Sequence, residues 1–260
     1  MSLAFRPDET SPYVRAFLAD RGLERSDLDL AIDERDEMLG FLVGGMEGDR
    51  DKALFAYFRS GLSIADGLLQ VLRWRFPDGP GKVLDFASGY GRITRFLVRE
   101  IPPERLWVSD VYEGGVRFQE ERFGVRGVVS TVRPEDLDLG GTFDAILVTS
   151  LFTHLPEERF LAWLRVLLGR LEPGGVLAFS THDPGLLVPC PAMPESGLLF
   201  QEISESGSLD TGDYGSTWVT EAFVRGAIAR VAPSASVHRL ERGLCNYQDL
   251  YLAVLEPGVD

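Results

Sequence analysis

Cysteine, histidine and lysine are scarce in this chain of 260 residues, which holds two cysteines and three histidines. Cys190 and Cys245 lie outside any CxxC or other zinc-type spacing, so the sequence predicts neither a disulfide scaffold nor a structural zinc site. The sparse cysteines are typical of a reduced protein, and we expect a cytoplasmic one. The HExxH and GxSxG signatures are missing too, which leaves metalloprotease and serine-hydrolase chemistry without support.

Positively charged residues are also few compared with negatively charged ones. Lysine and arginine together number 26 against 40 aspartates and glutamates, which gives a formal net charge of −14. A protein that binds nucleic acid normally presents a basic surface that displaces counterions from the phosphates. The sequence has no such basic stretch, so it predicts no nucleic-acid partner and disfavours a polyanionic substrate.

Long apolar runs are absent as well. No uninterrupted stretch approaches the ~18 apolar residues that a membrane-spanning helix needs. The first residues, MSLAFRPDET, have neither the basic region nor the apolar region of a secretory signal peptide. We therefore expect no membrane partner and no signal peptide.

The first 80 residues have a helical pattern. Between residues 51 and 76, apolar side chains recur at steps of three and four residues, as they do on one face of an amphipathic helix. The segment FPDGPG at 76–81 then ends the pattern with turn-forming residues. Residues 1–80 are therefore predicted to form a helical N-terminal cap.

Short apolar runs alternate with amphipathic helical segments in the remainder, 81–260. This alternation predicts an α/β domain with a doubly wound, Rossmann-like, mostly parallel sheet. Residues 183–217 interrupt the pattern with prolines, glycines and polar stretches, and an insertion of that length is typically either functional or disordered. The predicted strands are 82–86, 105–110, 127–131, 143–150, 175–181, 234–241 and 247–257, with a helix at 220–231.

Gly89 and Gly91 follow the first predicted strand, in the stretch VLDFASGYGRITRFL at 83–97. They could simply form a tight turn between strand and helix. They could also begin the GxGxxG fingerprint of a dinucleotide site, although Thr94 stands at its third glycine position. Finally, they could let the backbone approach a different ligand. The incomplete fingerprint gives little support to a dinucleotide.

Asp85, within that strand, helps to choose among these alternatives. A carboxylate beside a bound pyrophosphate would repel it, at a cost on the order of 1 to 4 kcal/mol at ~4 Å. A ligand with a cationic centre and an ammonium group would be favoured instead. S-adenosylmethionine has a sulfonium and an amine but no phosphate, so the acid favours this ligand.

Several stretches, taken in chain order, carry a family resemblance. They are DFASGYG at 85–91, LWVSDVYEGG, VRPEDL, FDAILVTSLFTHL, LEPGGVLAFSTH and YQDLYLAVLEP. Over most of residues 50–257 the chain resembles the class I S-adenosylmethionine-dependent methyltransferases, and among them the bacterial small-molecule enzymes. Ala87 departs from the first motif of the family, which has a glycine there. The resemblance implies S-adenosylmethionine as the cofactor and a sheet whose last strand runs antiparallel.

In that family the glycine turn and the acids after the second and third strands hold the cofactor. The resemblance places Asp110 at the ribose hydroxyls, and Asp136 or its neighbour Glu135 near the adenine. Arg59 could meet the cofactor carboxylate, although a solvated arginine is the simpler interpretation. The implied cofactor-binding set is Asp85, Ala87, Ser88, Gly89, Gly91, Asp110, Val111, Glu135, Asp136, Thr149, Ser150 and Leu151.

The candidate catalytic residues are His154, His182 and Tyr214. Both histidines follow predicted strands, where either could accept a proton from a hydroxyl acceptor or could instead be a hydrogen-bonded structural residue. Tyr214 lies in the irregular segment and could form an acceptor wall or fix the loop to the core. His238 lies inside a late strand and is assigned to structure. Methyl transfer from a sulfonium also proceeds by alignment and desolvation, so a dedicated base is not essential.

The expected activity is S-adenosylmethionine-dependent methylation of a small-molecule acceptor at oxygen, of the sugar or natural-product type. One alternative is an NAD(P)-dependent oxidoreductase, and another is a protein that binds the cofactor without catalysis. Against the first, Gly48 and Asp78 stand four residues before the only lysines, where short-chain dehydrogenases have a tyrosine. A homodimer is compatible with the sequence.

Overall fold

The computed structural model describes residues 4–5, 11–23, 28–204, 206–207 and 209–257. In those ranges a central sheet carries helices on both faces. Its strands and those of two short pairs are β1 (Ala4–Phe5), β2 (Ile32–Asp33), β3 (Val83–Phe86), β4 (Leu106–Asp110), β5 (Arg126–Val129), β6 (Phe143–Val148), β7 (Leu171–Thr181), β8 (Leu198–Gln201), β9 (Ser216–Val219), β10 (Ser236–Leu244) and β11 (Gln248–Val254). The helices are α1 (Pro12–Asp20), α2 (Glu37–Gly45), α3 (Arg50–Arg75), α4 (Thr94–Leu97), α5 (Glu113–Phe123), α6 (Glu157–Leu168) and α7 (Glu221–Val231).

The central sheet has seven strands in the order β10-β11-β7-β6-β3-β4-β5. The strands from β3 to β7 pair in parallel, whereas β11 runs antiparallel to both of its neighbours. This confirms the predicted doubly wound, mostly parallel sheet with an antiparallel last strand. From β3 the chain first builds outward through β4 and β5, and then returns to the other side of β3 with β6. The carboxyl ends of β3 and β6 therefore flank the crevice where such sheets bind ligands.

Apolar side chains bury both faces of the sheet. Successive residues of a strand point to opposite faces, and accordingly Ala145 and Ile146 of β6 belong to different core clusters. Phe58 and Leu68 of α3 pack in the cluster that contains Ala145. Phe160 of α6 packs in the cluster that contains Ile146. The inner strands β3 and β6 are thus apolar on both sides, as the sequence predicted.

The N-terminal segment shares one of these cores. The predicted helix at 51–76 is α3, which begins after Asp49, whose side chain accepts a hydrogen bond from the backbone N–H of Lys52. Apolar residues of α1, α2 and α3 all belong to the cluster that covers this face of the sheet. Within the described ranges, no helix has both the length and the apolar character that crossing a membrane requires.

The insertion at 183–217 is more regular than its composition suggests. β8 and β9 form an antiparallel pair, and Trp218 of β9 forms a bridge with His182 at the end of β7. The backbone N–H groups of Gly215 and Val219 donate to the carbonyl oxygens of His154 and His182, at 2.8 and 2.9 Å. β9 is therefore bonded to the edge of the sheet at which β6 and β7 end.

Candidate functional site

A cavity of about 630 Å³ lies over the carboxyl ends of β3, β4, β6 and β7. Its walls come from α2, the glycine loop after β3, the segments after β4, β5 and β6, the insertion, and the turn between β10 and β11. The volume is in the range of sites for small molecules and cofactors. Its position at the reversal of strand order is where ligands bind in open α/β sheets.

The backbone of the glycine loop is already hydrogen-bonded within the protein. The N–H of Ser88 donates to the carbonyl of Ser109 at 3.2 Å, and the N–H of Gly91 donates to the carbonyl of Ser88 at 3.0 Å. The N–H of Gly89 donates to Asp110 Oδ2 at 2.7 Å. A phosphate site at such a turn depends on free N–H groups, and these three are not free. These three N–H groups are therefore not available to the phosphates of a dinucleotide.

Close packing against α5 explains the need for glycine at one position of this loop. Gly91 has φ +77°, and a Cβ there would stand 2.5 Å from the ring of Phe123 and 2.9 Å from Gln119 Cγ. Gly89 also has a positive φ, +58°, but a Cβ there would meet nothing within 4 Å. Ala87 adopts φ 58° with its side chain in place. Of the two loop glycines, Gly91 is therefore the one at which a side chain would clash with its neighbours.

Asp110 ends β4 at the cavity wall. Its Oδ2 accepts from Gly89, and its Oδ1 accepts from the backbone N–H of Tyr112 at 3.0 Å. Burial raises the pKa of this carboxyl, and the backbone hydrogen bonds oppose that effect by favouring the ionised form. Each oxygen keeps a second lone pair, so a carboxylate held in this way can still accept hydrogen bonds from a ligand.

Asp85 is not brought into the cavity. Its side chain is buried beneath the loop, where its Oδ2 lies 2.6 Å from the hydroxyl of Thr94, and that hydroxyl is 2.7 Å from Gln119 Oε1. The hydroxyl has one proton for two acceptors, so a protonated Asp85 that donates to Thr94 satisfies the whole chain. Burial raises the pKa of Asp85 to about 7, which agrees with this arrangement. The argument that Asp85 selects the ligand by charge is therefore corrected, because Asp85 does not line the cavity, whereas Asp110 does.

The acids after β5 are not brought to the cavity either. Glu135 and Asp136 are exposed, in a short 3₁₀ turn at Pro134–Asp136. Residues 130–132, directly after β5, line the wall in their place. The prolyl turn carries the two acids away from that wall. Of the cofactor-binding set, the structure brings together at the cavity Ala87, Ser88, Gly89, Asp110, Val111, Thr149, Ser150 and Leu151.

Several charged residues at the cavity, among them Asp36 and Arg92, were not identified from the sequence. Asp36 is buried before α2, accepts from the Tyr57 hydroxyl at 2.6 Å, and has a pKa raised by burial. Arg92 donates to Ser60 Oγ at 2.7 Å. In sequence, Asp36 has the pattern of an ordinary helix N-cap and so gives no separate signal. Arg59, considered for the cofactor carboxylate, is exposed against Phe55 and lines a second cavity instead.

Arg95 fixes the N-terminal segment to the glycine loop. Its guanidinium is completely buried and donates to the carbonyls of Gly91 and Ala31 at 3.1 and 2.8 Å. The cation also lies 5.5 Å from the ring centroids of Tyr57 and Phe58. Since Tyr57 holds Asp36, these contacts position both the loop and the acid at the cavity.

His154 lines the cavity in a defined tautomer. Its Nδ1 lies 2.6 Å from the carbonyl oxygen of Gly215, which can only accept, so Nδ1 carries the proton. Nε2 is then unprotonated and has no hydrogen-bond partner among the described residues. The ring stacks on Tyr214 with 4.4 Å between centroids. Burial lowers the pKa of His154, which keeps the imidazole neutral near pH 7.

His182 lies on the same cavity at the end of β7. Burial, with a smaller contribution from His154, lowers its pKa to about 4. Its Nε2 is 3.4 Å from Gln248 Nε2, which also donates to Ser150 Oγ at 3.0 Å. All three candidate catalytic residues thus lie at one cavity, together with Gln248, which the sequence did not single out. His238 lies elsewhere, edge-on to Trp74.

Comparison with known proteins agrees with this geometry. Residues 83–175 match the sequence model of a family described as "Methyltransferase domain". Trans-aconitate 2-methyltransferase of Rhodopseudomonas palustris (strain BisB18) is 31% identical over 106 residues, which are 41% of this chain. The match spans only 40% of that relative's length.

Solved structures extend the likeness to the fold. A sugar N-methyltransferase, KedS8 from Streptoalloteichus sp ATCC 53650, superposes with a TM-score of 0.56 at 18% identity, over 75% of this chain and 87% of that one. CalS10, an amino pentose methyltransferase from Micromonospora echinaspora, gives 0.53 at 20% identity, over 75% and 91%. A methyltransferase from Clostridium acetobutylicum ATCC 824 gives 0.55 at 12% identity, over 75% and 91%. The chain therefore has the class I S-adenosylmethionine-dependent methyltransferase fold, and residues 83–175 are similar to a methyltransferase domain, as the resemblance predicted.

Proposed function

We propose that this protein transfers the methyl group of S-adenosylmethionine to a hydroxyl group of a small molecule. The observation that carries the proposal is His154, a neutral imidazole whose unprotonated Nε2 is available at a cavity with cofactor-type walls. Such a nitrogen suits removal of a proton from a hydroxyl. An amine acceptor that is already neutral would not need it.

The residues present fit the cofactor. Asp110 is placed to accept from ribose hydroxyls, and Asp36 with Arg92 offers one negative and one positive group to an amino-acid end. When bound, S-adenosylmethionine supplies an electrophilic methyl group on a sulfonium.

The residues of the chain would then align the acceptor and take its proton. His154 Nε2 receives the hydroxyl proton, while Nδ1 keeps its bond to Gly215 and so fixes the orientation of the ring. Tyr214 stacks on the imidazole and covers one of its faces. Removing water from this region strengthens the alignment of the reacting atoms.

The charges at the cavity argue against strongly anionic acceptors. Two arginines line it, and Arg159 already pairs with Asp213 at 3.1 Å. Trans-aconitate, the substrate in the name of the curated relative, is a polycarboxylate that would need several free cations. A neutral polyhydroxylated acceptor fits this lining better.

Thermal unfolding with S-adenosylmethionine, its demethylated product and NAD tests the cofactor. A ligand at a hundred times its dissociation constant stabilises by about 2.7 kcal/mol, which is several degrees for a domain of this size. We expect shifts with the first two ligands and none with NAD, because the N–H groups of Ser88, Gly89 and Gly91 are already bonded within the protein. Asp110→Ala should remove the shifts. A shift with NAD alone would contradict the proposal.

A turnover assay tests the reaction. Formation of the demethylated cofactor would be followed with a panel of methyl glycosides and matched primary amines. We expect turnover with hydroxyl acceptors, and its loss in Asp110→Ala. Cofactor binding without turnover on any acceptor would instead support a protein that binds without catalysis.

A further inference from the structure

The turn between β10 and β11 brings a polar side chain to the acceptor side of the cavity. Gln248, the first residue of β11, donates from Nε2 to Ser150 Oγ at 3.0 Å, and its Nε2 lies 3.4 Å from His182 Nε2. A separation of 3.4 Å is at the long end for a hydrogen bond, so the contact is weak. Both residues therefore keep hydrogen-bonding capacity at a cavity that they line.

His182 is held firmly although its ring nitrogens are poorly satisfied. Its ring lies edge-on to Tyr247 at 5.3 Å and tilted against Trp218 at 6.1 Å, and its carbonyl accepts from Val219. Nδ1 is enclosed beside the backbone of Thr217 and makes no hydrogen bond of good geometry in the described chain, so a ligand would meet the ring at Nε2. Nε2 has only its long contact with Gln248, and a poorly paired polar atom of this kind is found where a ligand or an ordered water supplies a better partner.

We propose that His182 and Gln248 form a second acceptor subsite, which hydrogen-bonds a hydroxyl or carbonyl group next to the hydroxyl that His154 deprotonates. This inference rests on the proposed function. The enzyme then selects acceptors that carry two such groups. His182 is a positioning residue in this scheme, and it does not take the proton.

The way in which the two histidines are held explains why His154 takes the proton and His182 only positions the acceptor. Both are attached to one strand of the insertion, His154 through Gly215 and His182 through Val219, so their relative positions are fixed. A proton on His154 further disfavours a proton on His182, whose pKa is already about 4. Once His154 has accepted the hydroxyl proton, His182 stays neutral and can only donate or accept a hydrogen bond.

Paired acceptors test the subsite. The panel would contain methyl glycosides with neighbouring hydroxyls and the counterparts that lack one of them, and kcat/KM would be measured for each pair. The wild-type protein should prefer the complete acceptor by about tenfold or more, because the deoxy compound leaves polar groups of the site unpaired. In His182→Leu and in Gln248→Leu the preference should fall close to one, since the group that reads the second hydroxyl is gone.

The controls separate positioning from general damage. A purely structural role would lower kcat/KM for both members of a pair equally and leave the preference unchanged, and that result would overturn the subsite. His238→Gln, a histidine away from this cavity, should keep the full preference. If His182→Leu does not fold, Gln248→Leu, in which only the half-buried Gln248 changes, decides. Absence of wild-type turnover on the entire panel would instead refute the proposed function.

Discussion

The two halves of the cavity are built in different ways. The cofactor half, at the ends of β3 and β4, comes from residues 85–112, and its main polar groups bond to one another, as Asp110 does with Gly89. The acceptor half joins the ends of β6 and β7 to the insertion and the β10–β11 turn. There Thr149 and His182 keep enclosed polar atoms without partners in the described structure. Ser109 is a similar exception in the cofactor half.

The comparison teaches what each half requires of its ligand. A hydrogen-bonded loop keeps its shape in the absence of ligand, so the cofactor half is preorganised. Enclosed polar atoms without partners each cost about 1–3 kcal/mol, and that cost is recovered when a ligand supplies the partner. The acceptor half therefore depends more on its ligand, and changes to the two halves should produce separable effects.

Replacing the base His154 should give the largest effect, a loss of turnover without a loss of cofactor binding. His154→Gln keeps an amide N–H for Gly215 but cannot accept the hydroxyl proton. We expect kcat to fall by about 10²–10⁴-fold, the usual contribution of general base catalysis. The thermal shift with S-adenosylmethionine should be unchanged. Stopped-assay kinetics and melting curves on the same preparation check both halves of this prediction.

The pH profile gives an independent check on that base. Burial lowers the pKa of His154 below its ordinary value of 6.5, so the midpoint of the acid-side fall in wild-type kcat/KM should lie below pH 6.5. A decline that begins well above pH 7 would point to another base. His238→Gln should reproduce the wild-type profile.

Replacing one loop glycine should damage the cofactor half. In Gly91→Ala the new Cβ would meet Phe123 and Gln119 at 2.5 and 2.9 Å with φ at +77°, so the loop must shift. We expect a loss of about 2–4 kcal/mol in unfolding free energy, as in other overpacked or strained sites, and at least tenfold weaker cofactor binding. Denaturant unfolding and calorimetric titration with S-adenosylmethionine measure the two.

Gly89→Ala is the matched control. This glycine has a similar φ but open space around its Cβ position, so only the left-handed backbone costs energy, about 1–2 kcal/mol. The more bulky Gly89→Val is expected to abolish methyl transfer, because the side chain enters the cavity wall. Equal destabilisation by the two alanine variants would show that packing against α5 is not what requires Gly91.

The same contrast explains how much the sequence could predict. The sheet and the cofactor half come from periodic patterns and from one contiguous motif, so the strands and Asp110 were identified. The acceptor half depends on pairs distant in sequence, such as Ser150 with Gln248, 98 residues apart. No local pattern encodes such contacts, and Gln248 was missed for that reason.

Three acids that were expected at the cofactor do not line the cavity, and the causes are local. Asp85 was placed at the ligand because it precedes the glycine turn, but its strand position points it beneath the loop toward Thr94. Glu135 and Asp136 are exposed because the turn that follows β5 directs them outward. Sequence spacing gave the positions of the segments that carry these acids. It could not give the direction in which the three side chains point.

Asp85→Asn tests whether the carboxyl of Asp85, in the cofactor half, is protonated in the folded protein. The folded pKa of about 7 lies above the ordinary aspartate value of 3.8, so the folded state holds a proton that the unfolded state releases between pH 4 and 7. Stability from this group is therefore present below pH 4 and lost as pH rises through 7. Asp85→Asn should be more stable than wild type at pH 8, by at most about 4 kcal/mol, and equal to it near pH 4. Urea unfolding at both values tests this, and a variant less stable at pH 8 would contradict it.

The smallest predicted effect concerns the contact that joins the two halves. The hydroxyls of Tyr112, after β4, and Ser206, in the insertion, both donate to Glu37 Oε2 at 3.0 Å, and Glu37 begins α2. Tyr112→Phe removes one of these bonds at an exposed position, so the free energy of unfolding should fall by less than about 1 kcal/mol. Because all three residues line the cavity, S-adenosylmethionine should dissociate about two- to threefold faster from this variant, as stopped-flow displacement would show. Tyr13→Phe, on α1 and away from the cavity, should leave the dissociation rate unchanged. Equal rates in the wild-type protein and both variants would mean that the Tyr112 contact does not affect cofactor release.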